Sequence, residues 1–142
     1  MPTFRHGRNA FFQVDDSGGT LRNITNQLRE ITFPRVVDLA ETSAFGTFDK
    51  TYVVGMRDAT ISAEGMFSAG AATEIDPVFA GVLGQEASLE FEYGPEGNAS
   101  GRIRYTGQCF LTNYEISSPY NDMVGVSCEF QVTGSVTRNT FP

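Results

Sequence analysis

VVDLAETSAFGTFDKTYVVGMRDATISAEGMF, residues 36–67, decides how this chain is read. Its second half alternates strictly. Ala59, Ile61, Ala63, Gly65 and Phe67 fall on one side, and Asp58, Thr60, Ser62, Glu64 and Met66 on the other. A period of two over this length means a strand with one buried and one polar face. The preceding segment, Asp38–Lys50, has no such period. It reads as an extended polar loop between a short strand and a strand pair, Thr51–Gly55 and Arg57–Phe67, joined at Gly55-Met56. A long loop anchored by strands on both sides is usually functional or an interaction arm.

Working outward, strands dominate. Phe12 and Val14 share a face, Asp16-Ser17-Gly18-Gly19 makes a turn, and Leu21–Thr25 returns as the second strand of a hairpin. Asn26–Glu30 reads as a polar connection. Ile31–Val37 is a strand interrupted by Pro34, which cannot donate to a ladder and so marks an edge or a bulge. The one helix signal follows the small-residue run Ser68–Ala72: Asp76 as cap, Pro77 in the first turn, and Phe79, Val82 and Leu83 on one face before Gly84. Leu89, Phe91 and Tyr93 alternate with Glu90 and Glu92. In the last two strands Ile103, Tyr105, Gly107, Cys109 and Leu111 share a face, and the parity then flips to Tyr114 and Ile116. That flip predicts a bulge near Thr112–Asn113. A hairpin centred on Tyr120 pairs Ile116 with Val124, Tyr114 with Val126, Leu111 with Cys128 and Cys109 with Phe130. The two cysteines become diagonal neighbours on a buried face, packed as free thiols. The fold class is mainly β (α+β): an antiparallel β-sandwich or small barrel of about eight strands, with one short flanking helix near residues 75–84. A single domain over residues 1–142 is expected, with an N-terminal arm at 1–9 and the extended loop at 38–50.

Composition narrows the function. The 142 residues carry 17 acidic and 10 basic side chains, a formal charge of −7. That argues against gripping nucleic acid, which needs clustered Lys and Arg. It does not argue against letting nucleic acid pass. The opening residues MPTFRHGRNAFF lack the apolar stretch of a secretory leader, so synthesis in the cytoplasm and reduced thiols are expected.

Chemistry-bearing patterns are weak. Asp16-Ser17-Gly18-Gly19 has the composition of a serine-protease nucleophile segment, but the sole histidine is His6, in the arm ahead of that hairpin. It reads as a Gly-rich turn. Asp15 and Asp16 lack calcium-loop spacing, and one His with two Cys on separate strands makes no transition-metal site. Glu90, Glu92 and Glu115 read as solvated sheet positions rather than paired catalytic carboxylates. No catalytic residue, metal ligand or cofactor is expected. The polar strand faces say more. Ser127, Glu129, Gln131, Thr133 and Ser135 form one row and Thr60, Ser62 and Glu64 another. They read either as ordinary exposed faces or, being small hydroxyls, amides and acids with few cations, as a lining past which DNA slides.

Several groups in order, spanning nearly the whole chain, carry a resemblance. They are Val14–Thr20 with Arg22-Asn23-Ile24, the loop from Asp38 to Phe45-Gly46, Val54–Asp58 with Ile61 and Gly65–Phe67, Tyr93-Gly94-Pro95 with Gly97, and Phe130–Arg138. Together the chain resembles the major tail protein, or tail tube protein, of long-tailed non-contractile bacteriophages. The resemblance implies a β-sandwich or small barrel with a flanking helix. It implies hexameric rings stacked into a hollow tube for DNA, with the protein in the virion tail. Its implied partners are further copies of the chain, a tape measure protein and tail terminator and tip proteins, with no membrane and no specific DNA binding. Asp38, Leu39, Ala44, Phe45, Phe48 and Lys50 become inter-subunit contact candidates. The Phe side chains are costly on a monomer but useful as anchors. The N-terminal arm and the Thr137–Pro142 tail are secondary candidates. Thr60, Ser62, Glu64, Ser127, Glu129, Gln131 and Thr133 become lumen-lining candidates. The alternative role is a head decoration or head-to-tail joining protein, and an enzyme or small-molecule binder is a third class.

Overall fold

The computed structural model describes residues 2–142. Its strands are β1 (Phe11–Asp15), β2 (Leu21–Asn23), β3 (Leu28–Thr32), β4 (Arg35–Glu41), β5 (Tyr52–Met66), β6 (Leu89–Gly94), β7 (Ile103–Ser117) and β8 (Gly125–Thr140), with helix α1 at Ile75–Val82. They form one 8-stranded antiparallel sheet in the order β2-β1-β6-β7-β8-β5-β3, and β4 also pairs with β5. The expected mainly-β class with one flanking helix holds, and of the two expected forms, sandwich or small barrel, the chain takes the barrel-like one: a single sheet curled into a half-barrel. The aromatics show the curl. Phe33, on the link between β3 and β4 at one edge, packs against Phe91 and Tyr93 of β6 and Tyr105 of β7 at 5.7–6.0 Å between ring centroids. A flat sheet could not bring that edge back over strands placed across its middle.

The core fills the inside of the curl. Phe12, Val14, Ala59, Ile61, Ala63, Leu89, Phe91, Cys109, Leu111, Val126, Cys128 and Phe130 face inward from five strands, and Ile75, Val78, Phe79 and Val82 of α1 close the open side. Phe79 is the wedge, meeting Tyr114 and Phe130 edge-on at 5.6 Å each. Each fully buried Phe stabilises by roughly 1.5–3 kcal/mol, and edge-to-face pairs add about 0.5–1.5 kcal/mol. Asp76 does not cap the helix. Glu74 is the N-cap residue, and its carboxylate turns back to accept from Ser68 Oγ at 2.5 Å and from the Ala71 N–H. The first-turn Ile75 N–H donates to Gln27 Oε1 at 2.6 Å, and Asp76 accepts from Tyr114 OH at 2.8 Å. The first bond ties α1 to the turn before β3 and the second ties it to β7.

Several element boundaries differ from expectation. The strand expected to begin at Ile31 begins earlier, at Leu28, inside the expected polar connection Asn26–Glu30. The strand expected across Pro34 is two strands flanking it, both running along the same partner, and the Pro34 carbonyl accepts from Thr60 N at 3.2 Å. Thr51–Gly55 and Arg57–Phe67 are not two strands. They are one, β5, whose ladder to β4 steps over an extra residue between the Val37–Arg57 and Leu39–Val54 pairs. Gly65 on β5 has a packing reason: a Cβ there would lie 2.1 Å from the Gln27 carbonyl oxygen, so only hydrogen lets that turn close.

The β7–β8 register is also corrected. The bulge lies between Leu111 and Asn113, as the parity flip requires, and a second lies between Thr106 and Gln108. Beside the second, Gly134 adopts φ 79°, a left-handed bulge conformation. The turn is longer than expected, however, so Ile116 pairs with Val126, Tyr114 with Cys128, Leu111 with Phe130 and Cys109 with Val132. The cysteines are both free and buried, but they are not diagonal neighbours. Burial pushes each thiol up to about 12, and Cys128 donates weakly to the Ala63 carbonyl at 3.6 Å.

Candidate assembly and lumen surfaces

The outer face of the sheet is polar because the inner face claims every second residue. The two rows read from the sequence are one surface. Thr60 pairs with Gln131, Ser62 with Glu129 and Glu64 with Ser127. Thr133 continues the β8 row and pairs with Gln108 of β7. Strand pairing adds residues that sequence reasoning did not assign here: Asn113 opposite Glu129, Glu115 opposite Ser127, and Glu30 and Thr32 opposite Glu64 and Ser62. Their signal in the sequence was parity against the apolar positions. Glu30, Glu64 and Glu115 lie in one row, and Glu129 in the next. Gln131 is held by its Nε2, which donates to Asp58 Oδ1 at 2.7 Å and to the Ala59 and Val132 carbonyls at 3.2 Å. Toward β6, Glu92 accepts from Gln13 and pairs with Arg104 at 3.4 Å. The chemistry is that of a hydrated acid and amide surface, which repels phosphate.

The segment expected as a loop is the end of a long two-stranded ribbon. Asp38–Glu41 belong to β4, and residues 42–51 form the tip. Thr42 N donates to Thr51 O at 2.8 Å, their hydroxyls meet at 2.7 Å, and Thr51 N donates to Ser43 Oγ at 3.0 Å. Ala44 turns the chain by accepting from Thr47 N at 3.2 Å. Phe45 and Phe48 are fully exposed at 108% and 101% of their reference area. Asp38 packs beside Gly55, and Lys50 is exposed where the tip returns to β5. The pairing places Val37, Leu39, Tyr52 and Val54 on one side of the ribbon and Val36, Ala40 and Val53 on the other, all exposed. Both faces are therefore apolar.

The ribbon leaves the sheet beside β8. Beyond Gln131 that strand pairs with β7 alone, and β5 before Thr60 pairs with β4 alone. Two open strand edges thus border a cleft of about 790 Å³, lined by Arg35, Arg57, Asp58, Val132 and Val136 among others.

The termini differ from one another. The N-terminal residues are exposed, with a single turn at Gly7–Asn9 and an Arg5–Glu96 ion pair at 3.2 Å; Met1 lies outside the described residues. The C-terminal tail is not a free arm. β8 runs to Thr140, and Phe141 is buried against Phe11 at 5.7 Å with the Arg104 guanidinium 5.4 Å from its ring centre.

Known proteins share this fold. A family model described as phage tail tube protein matches residues 5–138. No curated protein sequence matches the chain. Among solved structures, a chain from the tail of an empty gene transfer agent particle with C6 symmetry superposes with a TM-score of 0.78 at 15% identity, covering 96% of this chain and 100% of that one. The SPP1 tail tube superposes with a TM-score of 0.71 at 13% identity, covering 96% and 80%. A chain of the sheath–tube complex of an extracellular contractile injection system, in its extended state, gives a TM-score of 0.65 at 15% identity, covering 99% and 91%. At these identities the likeness is one of fold. The family match spans nearly the whole sequence, and by it the chain belongs to the phage tail tube proteins, structural components of the virion tail.

Proposed function

We propose that this tail tube subunit assembles as hexameric rings that stack around a channel for DNA. The observation that carries the reading is the continuous polar face of β5, β8 and β7, which has acids and amides at its centre and turns away from the core. Thr60, Ser62, Glu64, Ser127, Glu129, Gln131 and Thr133 line the channel in this reading. The arm, with Asp38, Leu39, Ala44, Phe45, Phe48 and Lys50, crosses to a neighbouring copy. Ring closure also removes the open edges of β5 and β8, which on a lone subunit invite uncontrolled pairing. The C6 symmetry of the gene transfer agent tail supports the ring size. A tape measure protein inside the tube and terminator and tip proteins at its ends are the further partners, and the subunit works without catalysis. Electron microscopy and light scattering of the purified chain test the reading. Rings or tubes are expected; monomer alone at high concentration, with and without tail assembly partners, would refute it. Antibody labelling separates a tube subunit, decorating the whole tail, from a joining protein, which marks a single ring.

A further inference from the structure

Two exposed apolar clusters lie at opposite ends of β5. At its start is the arm tip with Phe45 and Phe48. At its finish, the turn between β7 and β8, residues 118–124, lies beside Phe67, whose N–H donates to the Val124 carbonyl at 2.9 Å. There Tyr120 is 101% exposed and Met123 67%. The intervening strand has 15 residues, roughly 50 Å when extended. The two ends also differ in charge. The cleft at the base of the arm is lined by Arg35 and Arg57 against Asp58, whereas the groove at the far end is lined by Glu30, Glu64 and Glu115 against Arg29. An arm directed away from its own far end can reach such a patch only on another copy. Unlike ends that match each other give a head-to-tail contact, which extends as a filament where its rotation does not close a ring; the open edges of β5 and β8 serve ring closure, which leaves this contact for stacking.

We infer that the arm of one copy docks on the β7–β8 turn of a copy in the adjacent ring, Phe45 and Phe48 packing against Tyr120 and Met123. The inference rests on the tube-subunit reading and names the partner surface of the arm. It makes stacking polar, with the arm on one rim of each ring and its receptor on the other.

Two variants test it: Phe45→Ser/Phe48→Ser, lacking the arm anchors, and Tyr120→Ser/Met123→Ser, lacking the receptor. All four side chains are exposed, so both variants should melt as wild type does. Each is expected to give single rings. When the two kinds of ring are assembled separately and then mixed, one intact arm rim meets one intact receptor rim. Double rings appear, and nothing longer. A second measurement places Phe45→Cys and Tyr120→Cys in one chain and applies a short bismaleimide; covalent ladders are expected in tubes and not in single rings. Tubes from the receptor variant alone, its failure to form rings, single rings only after mixing, or no ladder would each overturn the inference. Wild-type protein forming neither rings nor tubes would instead overturn the tube-subunit reading.

Discussion

Replacing Phe45 and Phe48 by serine separates folding from assembly. Both rings are fully exposed on the single subunit and take no part in its core. Surface changes of this kind leave stability within about 0.5 kcal/mol, so the melting temperature should hold. In an interface each buried Phe contributes roughly 1.5–3 kcal/mol. The pair therefore contributes about 3–6 kcal/mol per arm, or a hundredfold to ten-thousandfold in the association constant of one contact. Ring stacking engages all arms of a ring together, so the loss multiplies across the junction. Tubes should vanish rather than shorten at concentrations where wild type polymerises. Sedimentation and electron microscopy read the assembly, and circular dichroism melting reads the fold. Tubes formed by the variant at the wild-type threshold concentration would refute the assignment of Phe45 and Phe48 as anchors. A parallel loss of melting temperature would refute the claim that the arm lies outside the core.

Four other outcomes are expected. Phe79→Ala removes the helix wedge and should cost about 3–5 kcal/mol, lowering the urea midpoint of the isolated subunit while leaving the β content of the folded fraction unchanged. Burial holds the Cys109 and Cys128 thiols up at about 12, above the free-thiol value. Their contribution to stability is therefore intact below about pH 8.5 and is lost as pH rises toward 12; a urea midpoint that does not fall over that interval, relative to a Cys109→Ala/Cys128→Ala control, contradicts this. Glu129→Lys/Gln131→Lys places cations on the polar face and should slow DNA ejection from assembled virions, whereas unchanged ejection puts that face elsewhere. Amide hydrogen exchange should be fast across residues 36–57 in the free subunit and strongly protected in tubes, while residues 60–65 are protected in both.

How much of this was legible in the sequence depends on what alternation can report. In Arg57–Phe67 one face is buried, so parity alone places Ala59, Ile61 and Ala63 inside. In the β7–β8 hairpin parity places both cysteines inside, yet it is blind to a slip of two residues, because such a slip leaves every side chain on its own face. Turn length decides that register. The turn runs across residues 118–124, longer than a tight centre at Tyr120, so the thiols moved apart while staying buried. The arm misled for a related reason. Its strands carry apolar residues on both faces, Leu39 and Val54 on one and Ala40 and Val53 on the other, so no period of two appeared and Asp38–Glu41 looked irregular. The polar face was half legible: each strand showed its row, but only pairing shows that Ser62, Glu129 and Asn113 are neighbours. The bulge at Gly55–Met56 looked like a break because a glycine in a strand pattern marks either one.

One strand carries both the rigid and the projecting part of the subunit. From Thr60 to Gly65, β5 has β8 on one edge, β3 along most of the other, and the core beneath alternate residues. From Tyr52 to Asp58 it has β4 on one edge and nothing on either face. A two-stranded ribbon is marginal on its own, and ordering its backbone costs about 1–2 kcal/mol per residue. The continuous backbone of β5 fixes the root and direction of the ribbon, since its register is set by the buried half. Covering its two apolar faces then supplies what hydrogen bonding within the ribbon does not. Assembly therefore completes the folding of the arm without rearranging the sheet that aims it. The same continuity explains why an apolar segment is tolerated at the surface: its exposure is confined to a directed arm, while the acid-rich face keeps the remainder of the outer sheet hydrated.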